Sequence, residues 1–84
     1  MVLTDKEQEE LLKLIGERLD QIKDAIPYID TADEAKQFVI GSIGTLRYFA
    51  KKLLHTDAYN IIDRHINSET NVIKAMIERL RLIE

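Results

Sequence analysis

The sequence predicts an all-α protein, an antiparallel up-down-up three-helix bundle with coiled-coil-like packing. Its helices are expected over about residues 5–26, 32–55 and 58–83. Three observations carry this reading. Aliphatic residues recur at alternating spacings of three and four, Thr-x-x-Glu sequences stand at two of the expected helix starts, and Pro27 falls where the first periodic run stops. The chain has 84 residues, 45% of them apolar and 32% charged, and is expected to form one domain over residues 1–84.

Thr4-Asp5-Lys6-Glu7 has the pattern of a capping box, in which Thr4 accepts from the Glu7 amide while the Glu7 carboxylate reaches back to the Thr4 amide. Behind it, Leu12, Ile15, Leu19, Ile22 and Ile26 form an a/d seam. Pro27 ends the helix because it lacks an amide donor and its ring clashes with the preceding turn. Tyr28-Ile29-Asp30 is the connector, and Thr31-Ala32-Asp33-Glu34 repeats the box.

The second seam runs through Ala35, Val39, Ser42, Leu46, Phe49 and Leu53, widened by Phe38, Ile43, Ala50 and Leu54. Gly41 and Gly44 oppose it, each costing about 0.8–1 kcal/mol relative to Ala, but the seam continues through both. His55-Thr56-Asp57 supplies the next stop and start, with His55 suited to a helix C-terminus and Thr56 or Asp57 to a cap. Ile62, Ile66, Glu69, Ile73, Met76, Leu80 and Ile83 keep one phase, which favours a single third helix. Asn67-Ser68 offers the point of a kink or break.

Composition excludes several function classes. Without cysteine there is no disulfide framework and no thiolate chemistry. The longest uncharged stretch, 37–46, is about half of a bilayer span, and the N-terminus has no basic region leading into an apolar one, so a cytoplasmic protein without membrane partners is expected. The net charge of −3 opposes broad affinity for nucleic acid. Twelve Ile and ten Leu against two Phe, three Tyr and no Trp supply a core but few aromatic platforms.

Charge is unevenly shared. Residues 1–34 carry ten acids and four bases, whereas 35–56 carry Lys36, Arg47, Lys51 and Lys52 and no acid. Those bases either pair with the acidic first helix, at about 0–1 kcal/mol per exposed pair, or present a patch to a phosphate or an acidic partner. A helix-turn-helix is disfavoured, since the helix after the tight turn would start with Asp57 and carry Asp63 close behind.

At about 100° per residue, the apolar arc of the second helix, extended by Ile40, is wider than the stripe of a surface helix. Part of it is therefore expected to meet another element or another chain. Opposite lie Gln37, Gly41, Gly44, Tyr48, Lys51 and His55. Two glycines on an outward face either mark close approach of a partner or are simply tolerated there.

His65 and Glu69, four apart on the third helix, have the spacing of a metal-ligand or general-base pair, and equally of a satisfied buried His–carboxylate pair. No third ligand is identifiable. There is no phosphate loop, no Ser–His–Asp arrangement and no paired Glu-x-x-His motif, and a slim bundle is expected to lack a sizeable pocket.

The expectation is therefore a non-enzymatic interaction or regulatory module without cofactor or metal. It would self-associate, most simply as a dimer, and bind an unidentified protein through Ile40, Gly41, Gly44, Tyr48, Lys51 and His55. The alternative is nucleic-acid association through Arg47, Lys51, Lys52 and Arg64.

Overall fold

The structure, a computed structural model, describes residues 3–83. Three helices pack side by side: α1 (Asp5–Ala25), α2 (Ala32–Leu53) and α3 (Thr56–Ile83), with a 3-10 turn (Ile26–Tyr28) closing α1. There is no strand among the described residues.

Cross-helix contacts set the directions. Asp33 meets Arg81 and Arg47 meets Asp63, so α2 and α3 run antiparallel. Gln8 reaches His55 and Lys23 reaches Glu69, so α1 and α3 run parallel. The result is the expected up-down-up bundle, a rod of 46 × 17 × 16 Å.

The local signals act as their chemistry dictates at the first two starts. The Thr4 capping box is complete, with Thr4 Oγ1 accepting from Glu7 N at 3.2 Å and Glu7 Oε1 accepting from Thr4 N at 3.0 Å. Those bonds to the ionised form hold the Glu7 carboxyl below its ordinary pKa, the backbone N–H of Thr4 being the larger cause. At Thr31 the hydroxyl accepts from Glu34 N at 3.1 Å. Pro27 sits in the first turn of the 3-10 segment, where its missing N–H costs little.

Two boundary expectations need correction. α2 stops at Leu53 and not at 55, because Leu54 adopts an extended backbone, φ −94° and ψ 147°. α3 starts at Thr56 and not at 58, so His55 leads into α3 and does not end α2, its carbonyl accepting from Tyr59 N at 2.8 Å. The favoured single third helix is found: there is no break at 67–68, and α3 is continuous over 28 residues.

The core contains Ile15, Leu19, Ile22 and Ile26 from the first segment, Ala35, Val39, Ile43 and Ala50 from α2, and Ile62, Ile66, Ile73 and Ile77 from α3. Burial departs from the strict heptad seams in an ordered way. On α2, Phe49 is half exposed while Ile43 and Ala50 are buried, so the covered arc is turned off the expected line. On α3 the buried line passes to Ile77, and Ile83 at the overhanging end is exposed. A straight α-helix drifts about 20° per heptad against a 3.5-residue repeat. Over the length of α3 that drift moves the seam to the neighbouring aliphatic position.

Candidate contact surface on helix two

The residues singled out on α2 occupy one outward side of the helix, but they do not form a single continuous site. Ile40 and Tyr48 are 57% and 58% exposed, and Gly41, Gly44 and Lys51 are exposed between and beside them. A Cβ built on Gly41 or Gly44 meets nothing within 4 Å, so no contact among the described residues requires glycine at either position. Thr45 Oγ1 donates to the Gly41 carbonyl at 2.9 Å, covering one backbone oxygen on this face. His55 lies apart in the corner between α2 and α3, its N–H held by Gln8 Oε1 at 3.1 Å.

Tyr48 anchors a small aromatic cluster. Its ring meets that of Phe49 edge-on, with centroids 5.5 Å apart, and Lys52 Nζ lies 5.3 Å above its centroid and donates to its hydroxyl at 3.1 Å. The four bases of the nucleic-acid alternative are dispersed. Arg47 donates to Asn67 Oδ1 at 2.6 Å and to Asp63 Oδ1 at 3.5 Å. Lys52 is turned toward Tyr48, Lys51 is exposed on α2, and Arg64 is exposed on α3.

His65 and Glu69 do not pair. His65 is exposed, whereas Glu69 is turned toward α1 and makes a direct ion pair with Lys23, whose side chain is 26% exposed. Hydrogen bonding to Glu69 raises the Lys23 pKa above its ordinary value. Among the described residues no group of three His, Cys, Asp or Glu could hold a metal ion. No described helix is long and apolar enough to cross a membrane.

Two features escaped the sequence reading. The first is Gln8, 6% exposed, whose side chain links Leu3 O and His55 N and so ties the start of α1 to the α2–α3 corner. Its position four residues before Leu12, on the same seam, is the signal that could have marked it. The second is a groove of about 500 Å³ between α2 and α3, where a slim bundle was expected to have no sizeable pocket. Its apolar surface comes from Val39, Ile40, Ile43 and Ile77, with the fully buried Ile73 behind them. Lys36, Arg47, Lys74 and Arg81 surround that surface, with Glu78 the one acid among the described residues that line it. No residue of α1 contributes. Ile40 therefore belongs both to the outward face and to the groove edge.

Comparison of the chain with family models, with curated proteins and with solved structures yields no match.

Proposed function

We propose that the chain is a non-enzymatic protein-interaction module whose contact element is α2, and that it self-associates as a dimer through the same helix. One observation carries the reading. α2 holds Ile40 and Tyr48 more than half exposed beside two glycines with open space around them, although Ala35, Val39, Ile43 and Ala50 of the same helix are committed to the core. Exposed aromatic and aliphatic anchors flanking a low stretch of backbone suit the close approach of another helix.

Residues 35–56 contain no acid, so α2 docking on α2 of a second copy brings cations together. Added salt screens that repulsion and should tighten the dimer. Sedimentation equilibrium tests this: a dimer that strengthens with salt and is lost in Gly44→Arg is expected, and a monomer at millimolar concentration contradicts it. Capture by the immobilised chain tests the broader reading, which requires a retained protein that Gly44→Arg no longer holds. Unchanged capture by that variant contradicts the role of α2.

The absence of acids from 35–56 also favours a second reading, nucleic-acid association through Arg47, Lys51, Lys52 and Arg64. It is weakened by the pairing of Arg47 with Asp63. A mobility shift that falls steeply with salt is its signature.

A further inference from the structure

We propose that the α2–α3 groove receives an acidic amphipathic helix of a partner protein, its apolar stripe on Ile40, Ile43 and Ile77 and its carboxylates on Lys36 and Lys74. The inference rests on the reading of the chain as an interaction module and specifies what it binds.

Shape comes first. The lining residues span 36–47 on α2 and 70–81 on α3. Eleven steps along a helix cover about 16 Å, so the trough accepts about three turns of a rod laid along it. Two antiparallel helices with an apolar trough between them leave the position that a fourth helix fills in a four-helix bundle. Helix-in-groove recognition uses aliphatic anchors spaced three and four apart, matching this floor.

Charge selects the sign of the occupant. Four of the lining residues are cationic and one is acidic. Arg47 is engaged by Asp63 and Asn67, and Arg81 by Asp33 and Glu78. Lys36 and Lys74, both exposed and on opposite helices, have no ion pair among the described residues. They are the cations left for a ligand.

A second copy does not fit this place. Groove against groove sets like-charged rims together. The acidic α1 of another copy offers Leu14 as its one large exposed apolar side chain, too little to fill an aliphatic trough. Such a contact would also be head-to-tail and open-ended, since α1 contributes nothing to the groove.

The test is titration of the isotopically labelled chain with a synthetic amphipathic peptide of about four helical turns, bearing Leu at spacings of three and four and Glu on both flanks. A twin peptide carries Lys in place of Glu. The Glu peptide should shift the amides of 36–47 and 70–81, and its affinity should fall with salt. Lys36→Glu/Lys74→Glu, which changes exposed side chains only, should lose at least about tenfold in affinity, about 1.4 kcal/mol, and gain the Lys peptide. Equal binding of both peptides, no binding, shifts outside the groove, or an unaffected double variant would overturn the proposal. So would groove shifts caused by dilution alone, or by dodecanoate but not the peptide, which would assign the groove to a second copy or to a small amphiphile. Failure of the peptide with capture still sensitive to Gly44→Arg refutes the groove alone, whereas capture indifferent to Gly44→Arg refutes the contact role of the outward face of α2 around Gly41, Gly44 and Tyr48.

Discussion

The seam that α1 covers and the groove between α2 and α3 are built from the same residue types and have opposite fates. Along the covered seam, Leu19, Ile22, Ile66 and Ile73 are sealed, and the Lys23–Glu69 ion pair closes the α1–α3 edge. Along the groove, Val39, Ile43 and Ile77 retain a little exposure, Ile40 is open, and cations stand around them. Aliphatic content therefore does not separate core from contact surface here. Coverage by a third helix does, and the charges beside each line follow suit: satisfied at Lys23 and, among the described residues, without an ion pair at Lys36 and Lys74.

Substitutions can break this contrast. The largest effect is expected from Leu19→Ala, which empties a site with no solvent exposure. Truncations of this kind cost about 2–5 kcal/mol, enough to leave so small a bundle partly unfolded, whereas Ile40→Ala should change stability by less than about 0.5 kcal/mol. Urea denaturation followed by circular dichroism reads both, and equal losses would erase the distinction between the two regions.

Next comes the ion pair at the edge of the covered seam. Lys23→Ala leaves the half-buried Glu69 carboxylate without its counter-charge and should cost about 1–3 kcal/mol, while Lys23→Met with Glu69→Leu should recover most of the loss. A double variant as unstable as the single one would show that the pair does more than balance its own desolvation. The raised Lys23 pKa fixes the sign of its pH dependence. Its contribution is present in full below the ordinary lysine value and declines as pH rises through the higher value of the folded state.

How much of this was legible in the sequence depends on whether the deciding interaction is local. Both Thr-x-x-Glu starts and the end of α1 at Pro27 were readable because each rests on atoms within a few residues. The start of α3 was not, because His55 is fixed by Gln8 from a distant part of the chain. The width of the α2 arc exposed Ile40 as surplus, but the groove beside it is shared between two helices. Counting charge along the chain found Lys36 and Arg47 and could not place Lys74 and Arg81 across from them.

On the open side, Gly41→Ala and Gly44→Ala should each stabilise the isolated chain by about 0.5–1 kcal/mol, since the added methyl meets nothing. Destabilisation read by thermal melting would mean that another chain already occupies that face. The smallest effect belongs to the end of α1. The lowered Glu7 pKa means that its contribution is present above the ordinary carboxyl value and fades as pH falls through the folded-state value. The protection of first-turn α1 amides, taken relative to their intrinsic exchange rate at each pH, should fall on acidification, and Glu7→Gln should flatten that response.

The contrast between a sealed side and an open one is tested most directly by the relaxation of isoleucine methyl signals by a soluble paramagnetic probe in dilute solution. The account predicts strong broadening at Ile40, weaker broadening at Ile43 and Ile77, and none at Ile22, Ile66 or Ile73. Protection of Ile40 equal to that of Ile66, at concentrations where the chain sediments as a monomer, would contradict it.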